Sequence, residues 1–178
     1  MNRWFAALPL IAIVILAVFF AGYALHRNPQ VVPQAMVGKQ MPDVTLPSFD
    51  GGTEVRLRDA LKQGPVLVNF FASWCGPCAI EQPVLMQLKS QGVRIIGVNY
   101  EDVAPRGSAQ AAQAFLARLG DPYLAKVADP DGRAGIDFGL SGVPETYLVA
   151  PDGKVLAKYT NLTEGDARAL TARMLTAR

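Results

Sequence analysis

The sequence predicts an α/β domain, a sheet with helices on both faces, preceded by one N-terminal transmembrane helix. Strand patterns and helix patterns alternate between about residue 42 and residue 178, an order that places helices on the faces of a sheet. Ahead of this region, residues 4–25 include no charged side chain. A chain of 178 residues is long enough for one such domain and an appendage.

The uncharged stretch is predicted to be a membrane anchor. It reads WFAALPLIAIVILAVFFAGYAL over residues 4–25, and a membrane-spanning helix needs roughly 20 apolar residues. A cleavable signal peptide has a shorter apolar core, of roughly 7 to 15 residues. Trp4 and Tyr23 stand where interfacial aromatic side chains belong. We expect an uncleaved anchor, with cleavage after Ala24 as the alternative.

The charges that flank this stretch leave its orientation nearly undecided. Arg3 and the terminal amine lie on one side, and His26 and Arg27 on the other, so the positive charges hardly favour either side. An N-terminal anchor followed by a single domain usually exports that domain, and we expect the domain outside the cytoplasm. Residues 26–41 are predicted to be an extended linker, and residues 42–178 the folded domain.

The first half of the domain has the pattern of a hairpin followed by a strand–helix–strand unit. Two short extended runs flank Asp50-Gly51-Gly52, which is a hairpin signal. The continuous apolar run at residues 64–73 predicts a strand that is buried on both faces. Helical spacing of apolar residues follows at 78–91, and residues 92–100 predict a second buried strand.

The second half of the domain continues the alternation. Residues 108–120 are rich in alanine and predict a helix, with Ser108 as its N-cap and Gly120 as its C-cap. A short strand is predicted at 122–129 and a short helix at 132–140. The remaining segments are a hairpin at 146–160 that turns at Pro151-Asp152-Gly153, and a closing helix at 163–178 with Thr163 as its N-cap.

Composition excludes two classes of function. The net charge is +2, which offers no electrostatic footprint for nucleic acid. A structural zinc ion needs four Cys or His ligands, but the chain has two cysteines and a single histidine, His26, beside the predicted anchor. Two thiolates alone could hold a soft ion such as Cu(I) only with weak specificity. We therefore expect no metal.

The two cysteines, Cys75 and Cys78, are separated only by Gly76 and Pro77. As a structural staple their disulfide would close so short a loop that it stabilises the fold by only about 2 kcal/mol. As a reactive pair they are well placed, because Cys75 follows a predicted strand and begins a predicted helix, where free N–H groups stabilise a thiolate. Lowering a thiol pKa from about 8.5 to about 7 raises the thiolate fraction at neutral pH from roughly 3% to roughly 50%.

The residues around the nucleophile fit this interpretation. Gly76 lets the backbone of a target approach closely, and Pro77 suits the first turn of a helix, where its missing N–H costs nothing. Cys78, one turn further on, can attack a mixed disulfide and release it. The pattern indicates a reactive pair.

At this point the sequence resembles known proteins. FFASWCGPC after a buried strand resembles the active site of thioredoxin-like proteins, and Pro83 and Pro144 stand where that family has a helix-kinking proline and a cis-proline. Together with the N-terminal anchor, NYED at 99–102 and GVPET at 142–146 resemble the thiol–disulfide proteins of cytochrome c biogenesis (the CcmG/DsbE group). The implied fold is a thioredoxin fold with an N-terminal β-hairpin extension and a central insert.

The resemblance also implies a function. Cys75 would attack a disulfide in apocytochrome c or in a cytochrome c assembly protein, and Cys78 would resolve the mixed disulfide. A transmembrane thiol-electron donor would re-reduce the pair, with no cofactor beyond the redox-active Cys75–Cys78 disulfide. The protein would lie in the inner membrane with its domain facing the periplasm. The alternatives are a general extracytoplasmic reductase of broad specificity and a non-catalytic peptide-binding module.

Further site residues follow from the resemblance. Asn69 replaces a buried aspartate of thioredoxins, and Glu81 is the candidate proton shuttle for Cys78, unless it is an exposed carboxylate of an ordinary helix. Glu145 resembles an acidic groove residue that contacts substrate, unless it is a solvent-facing strand residue. The other expected substrate contacts are Trp74, Gly76, Pro77, Val143 and Pro144.

Overall fold

The computed structural model of the chain describes residues 8–26 and 36–176, and the chain divides into two compact units between residues 33 and 34. The first unit contains helix α1, Leu8–His26. Within the part of the chain that the structure describes, no helix combines the length and the apolarity that a membrane crossing requires. The anchor over residues 4–25 stays a prediction. Trp4, the flanking arginines, the Tyr23 side chain and most of the predicted linker lie outside the described residues.

The second unit is an α/β domain whose elements follow the predicted order. Its strands are β1 (Thr45–Pro47), β2 (Glu54–Arg56), β3 (Val66–Phe71), β4 (Ile95–Tyr100), β5 (Ala125–Asp129), β6 (Glu145–Val149) and β7 (Val155–Thr160). Its helices are α2 (Gly76–Ser90), α3 (Ala109–Leu119), α4 (Arg133–Asp137), α5 (Glu164–Thr176) and a 3₁₀ helix at Leu57–Gln63. Strands β1 and β2 form a hairpin, and the other five form a mixed sheet in the order β5-β4-β3-β6-β7.

Strand β3 lies at the centre of the sheet, and each of its six residues is buried. Successive side chains of a strand point to opposite faces, so this apolar run serves two cores. Leu67 and Phe71 pack with helices α2, α3 and α5, whereas Val68 and Phe70 pack with the 3₁₀ helix and α4. The predicted strand buried on both faces is confirmed. By the same alternation, Asn69 lies on the face that α2 covers.

Local signals for helix ends are also confirmed. Helix α3 begins after Ser108, whose Oγ accepts a hydrogen bond from the Ala111 N–H at 3.1 Å. Thr163 caps α5 in the same way, with its Oγ1 3.3 Å from the nitrogen of Asp166. The sequence does not predict the 3₁₀ helix, because it buries only Leu57 and Leu61 and is too short to show an apolar period.

The N-terminal segments of the domain attach to both edges of the sheet. At the β7 edge, the Gly38 N–H donates to the carbonyl oxygen of Val155 at 2.8 Å, and Met36 is buried. At the β5 edge, the Phe49 N–H donates to the carbonyl oxygen of Lys126 at 3.0 Å. Both contacts cover strand edges that would otherwise be unpaired. Residues 36–41, which the sequence assigned to the linker, therefore belong to the domain, and the boundary at residue 42 is wrong.

Gly97 in β4 is required by a buried aromatic ring. A Cβ atom at this position would lie 2.8–2.9 Å from carbon atoms of the Tyr123 ring. That ring is held against Phe71, with ring centroids 4.9 Å apart. We expect Gly97→Ala to lower the free energy of unfolding by about 1–3 kcal/mol because of this overpacking, as measured by urea denaturation of the full chain.

The control for this substitution is Gly142→Ala, because a Cβ atom at Gly142 would meet no atom within 4 Å. Equal stability of the two variants would show that the Tyr123 ring can move aside at no cost, and would contradict the prediction.

Candidate active site

The cysteine pair lies where central strand β3 passes into helix α2. Cys75 is the N-cap residue of α2, and its Sγ accepts a hydrogen bond from the backbone N–H of Cys78 at 3.1 Å. The two cysteines form a disulfide, and their exposed fractions are 4% for Cys75 and 2% for Cys78. The predicted position of Cys75 at a helix N-terminus is confirmed. The N–H groups of that first turn would stabilise a thiolate on Cys75 after reduction.

The two residues between the cysteines are the accessible part of this turn. Gly76 and Pro77 are exposed, and the space where a Gly76 side chain would stand is open. Pro77 lies in the first turn of α2, where its missing N–H leaves no hydrogen bond unmade. A partner can therefore reach the disulfide past residues 76 and 77.

A buried carboxyl group lies on α2, one turn after Cys78. Glu81 of α2 is 3% exposed, so the alternative of an exposed helix carboxylate is wrong. Its Oε1 accepts a hydrogen bond from Asn69 Nδ2 at 2.9 Å, and its Oε2 accepts one from the backbone N–H of Leu162 at 2.7 Å. Burial raises the pKa of Glu81 to about 7, and the hydrogen bonds from Leu162 and Asn69 oppose this rise, while the charge of Asp166 adds to it.

The side chain of Asn69 is held in one orientation by its neighbours. The Tyr123 hydroxyl donates to Asn69 Oδ1 at 2.7 Å, which leaves the Nδ2 group to donate to Glu81 and to Thr146 Oγ1, each at 2.9 Å. An amide at this position cannot titrate, so it stabilises the Glu81 carboxylate instead of carrying a proton itself.

Glu81 is suited to proton exchange at neutral pH. It follows Cys78 by three residues on the same helix, and residues at this spacing are neighbours on the helix surface. A general acid or base works best when its pKa lies near the operating pH. The Glu81 carboxylate is therefore able to accept the proton of the Cys78 thiol and to return it.

The loop after β4 holds the residues that precede Cys75. The backbone N–H and the hydroxyl of Ser73 donate to the carboxylate of Asp102 at 2.6 and 2.5 Å, and Asn99 Nδ2 donates to it at 2.9 Å. The Nε1 group of Trp74 donates to the carbonyl oxygen of Glu101 at 3.3 Å. These contacts fix the approach of the chain to the disulfide.

Sequence reasoning missed this structural role, since it used NYED only as a mark of resemblance. The useful signal was topological: β3 and β4 run parallel as neighbours, so the residues after their C-terminal ends meet at one edge of the sheet. Arg106 of the same loop contacts the substrate-contact candidate Trp74, with the guanidinium carbon 4.9 Å from the centroid of the indole ring.

The segment before β6 carries the remaining predicted residues. The Val143–Pro144 peptide bond is cis, as the resemblance implied, and Val143 is half-buried against the core. Glu145 has an exposed fraction of 0%. Its carboxylate accepts hydrogen bonds from Tyr147 and Ser141 and pairs with Lys158. A side chain without exposed surface neither lines a groove nor faces solvent, so both predictions for Glu145 are wrong.

Comparisons with known proteins agree with this geometry. The chain matches the Redoxin family over residues 36–171. It is 44% identical over 149 residues to the thiol:disulfide interchange protein HelX of Rhodobacter capsulatus, covering 81% of each chain. It is 40% identical over 166 residues to the thiol:disulfide interchange protein DsbE of Pseudomonas aeruginosa, covering 92% of this chain and 88% of that one.

A solved structure supports the fold. The thioredoxin domain of a thiol-disulfide oxidoreductase from Bacteroides vulgatus superposes with a TM-score of 0.62 at 25% identity, covering 80% of this chain and 98% of that chain. The thioredoxin-like fold implied by WCGPC and its preceding strand is confirmed. The chain therefore belongs to the Redoxin family, and it is a thiol–disulfide oxidoreductase related to the interchange proteins HelX and DsbE.

Proposed function

We propose that this oxidoreductase is anchored in the inner membrane, with its domain in the periplasm, and that it reduces disulfides of apocytochrome c or of a cytochrome c assembly protein. The observation that carries the proposal is the Cys75–Cys78 pair at the start of α2, with the buried Glu81 carboxyl group one turn further along the same helix. The substrate class is supported by the resemblance of NYED and GVPET to the cytochrome c biogenesis group.

The reaction transfers two electrons from the cysteine pair to the substrate. The Cys75 thiolate attacks one sulfur of the substrate disulfide, that S–S bond breaks, and the other substrate sulfur leaves as a thiolate. Cys78 then attacks the Cys75 sulfur of the mixed disulfide and releases the second substrate thiol. The products are a substrate dithiol and the Cys75–Cys78 disulfide, which is the state of the pair in this structure.

Glu81 carries the proton in the second half of this reaction. In the mixed disulfide Cys78 is a buried thiol. It attacks as a thiolate, so its proton must first move to a nearby base. The Glu81 carboxylate takes that proton, because its pKa of about 7 leaves a large fraction ionised at neutral pH. Asn69 and the Leu162 N–H keep the carboxylate in place during the transfer.

The residues around the disulfide bind the peptide substrate. Trp74, Gly76 and Pro77 form one side of the predicted contact surface, and the backbone of Val143 before Pro144 forms an edge with which a bound peptide pairs. Glu145 is not among these contacts, because its side chain is buried.

The pair must be re-reduced after each turnover, since the periplasm is kept oxidising. A transmembrane thiol-electron donor supplies the two electrons, and an anchor keeps the domain beside it. The anchor is supported by the uncharged sequence over residues 4–25.

A trapping experiment tests the substrate. Cys78→Ala removes the resolving thiol, so Cys75 should stay covalently joined to whichever protein it attacks. We expect adducts with c-type apocytochromes or their assembly proteins, identified by mass spectrometry after expression of the full chain in its own organism. The double variant Cys75→Ala/Cys78→Ala is the control and should trap nothing.

Other outcomes of the trapping experiment would contradict the proposal. A wide scatter of exported proteins would identify a general reductase of broad specificity. The absence of adducts would favour a peptide-binding module that does not use both cysteines.

The raised pKa of Glu81 predicts a pH-dependent stability. In the unfolded chain this group has its ordinary pKa of 4.5, whereas in the folded domain its pKa is about 7. The folded state therefore binds the proton more tightly, and stability should fall as pH rises from 4.5 to 7, by roughly 3 kcal/mol. Glu81→Gln should remove this fall, as measured by urea unfolding of the oxidised full chain across that range.

The control for the stability experiment is Glu54→Gln, because Glu54 is exposed on β2. This variant should keep the pH dependence of the wild type. A Glu81→Gln variant with the wild-type pH slope would show that Glu81 does not titrate in this window.

The same substitution should alter the kinetics. In single-turnover reactions from a preformed mixed disulfide, the wild-type rate of resolution should rise with pH through about 7, because only the ionised carboxyl group accepts the Cys78 proton. Glu81→Gln should slow resolution by about 100-fold near neutral pH and lose this inflection. An unchanged pH–rate profile would refute the proton-shuttle role, with Glu54→Gln again as the control.

A further inference from the structure

A buried ion pair beside the active site is not used by the reaction. Lys158 of β7 places its Nζ 2.9 Å from Glu145 Oε2 of β6, and the side-chain exposures are 6% and 0%. Charged groups removed from water are costly unless they are paired and hydrogen-bonded. The question is what this pair holds in place.

Both members of the pair hold residues 139–145, here called the recognition segment, which runs from the end of α4 to Glu145, the first residue of β6. The Nζ of Lys158 also donates to the carbonyl oxygen of Gly139, at the start of the segment, at 3.3 Å. The Glu145 carboxylate, at its end, accepts hydrogen bonds from the backbone N–H of Ser141 at 3.3 Å and from the Ser141 hydroxyl. One ion pair therefore ties the start, the middle and the end of the segment together.

The sheet and a tyrosine fix this ion pair in turn. Lys158 lies opposite Tyr147 in the antiparallel pairing of β6 with β7, which makes Glu145 its diagonal neighbour on the same face. The Tyr147 hydroxyl donates to Glu145 Oε2 at 2.8 Å, and Lys158 Nζ lies 5.5 Å from the centroid of the Tyr147 ring. All three side chains are anchored in strands, so they form a rigid support for the segment.

The recognition segment carries Val143 and Pro144, between the tied residues Ser141 and Glu145. We propose that the Lys158–Glu145 ion pair is a positioning device that holds the Val143–Pro144 edge in the shape with which a peptide substrate pairs. This inference rests on the proposed function, because it assumes a peptide substrate that binds along Val143. Lys158 and Glu145 are positioning residues, since neither reaches the substrate.

A purely structural role makes a different prediction. If the pair only stabilised the fold, its loss would lower the activity toward every disulfide in proportion to the loss of folded protein. If it shapes the recognition segment, its loss affects peptide substrates selectively. A small aromatic disulfide such as 5,5′-dithiobis(2-nitrobenzoate) reacts at Cys75 without pairing to a backbone edge, so it serves as the reference substrate.

The experiment compares these two substrates in single turnovers of the full chain in detergent, after the Cys75–Cys78 disulfide has been reduced with a dithiol and the excess reductant removed. KM and kcat here denote the half-saturating substrate concentration and the limiting rate of that single turnover. The peptide substrate is an oxidised peptide with a Cys-x-x-Cys-His segment, the haem-attachment sequence of c-type cytochromes. We expect Lys158→Met to raise KM for the peptide by about tenfold, with kcat and the rate toward the small disulfide within about twofold of wild type. Lys158→Arg should restore KM, because it returns a cation to the pair.

Two further variants keep the experiment decisive. The double variant Lys158→Met/Glu145→Gln leaves no buried unpaired charge, so it tests the inference if Lys158→Met does not fold, and it should also show the raised KM. Lys126→Met is the matched control, since Lys126 is another mostly buried lysine, paired with Asp121 and Asp50 and outside the recognition segment. It should leave both substrates unaffected.

The remaining outcomes overturn the inference in distinguishable ways. An unchanged KM in a folded Lys158 variant, or an equal loss toward both substrates, would refute the positioning role. A wild-type chain that reacts with the small disulfide and does not reduce the peptide would refute the proposed function itself, and the inference with it.

Discussion

The need to keep a carboxyl group inside an apolar core governs the construction of the site. Glu81 is buried one turn after Cys78 on α2, and burial disfavours its ionised form. The Asn69 amide donates a hydrogen bond to the Glu81 carboxylate and thereby stabilises its ionised form. The Tyr123 hydroxyl holds that amide in the required orientation. Tyr123 fits against β4 only because position 97 is glycine. A chain of contacts thus runs from Gly97 in one strand to the helix that carries the cysteines.

Three of the buried carboxylates lie on segments that form the site, and their partners differ. Glu81 has neutral hydrogen-bond donors and a raised pKa. Asp102 is satisfied by Ser73 and a neighbouring asparagine, and it holds the turn that leads into Cys75. Glu145 has a full cationic partner in Lys158. The carboxyl group whose pKa is raised to about 7, Glu81, is the one suited to exchanging a proton, whereas the other two fix backbone segments.

How much the sequence predicts depends on the distance along the chain over which each interaction acts. The buried strand at β3, the Ser108 cap and the position of Cys75 at a helix start all follow from neighbouring residues, and all are confirmed. The burial of Glu145 does not follow in this way, because it depends on the register that brings Lys158 beside it from another strand. The contact of residues 36–41 with β7 is likewise a long-range pairing. Composition alone does not reveal it, and for that reason the sequence predicts a linker there.

The reacting groups of the site depend on residues that are close together in the sequence, whereas the recognition segment depends on residues from distant parts of the chain. The two cysteines and Glu81, the proposed proton acceptor, lie within two turns of one helix, so a short sequence specifies the groups of the proposed reaction. The recognition segment, by contrast, is contacted from outside by a lysine on β7. In the positioning role proposed for Lys158, substitutions on β7 change which peptides bind while the reacting groups keep their geometry. A thioredoxin-like scaffold with an unaltered WCGPC turn could in this way differ in its substrates without altering the exchange reaction itself.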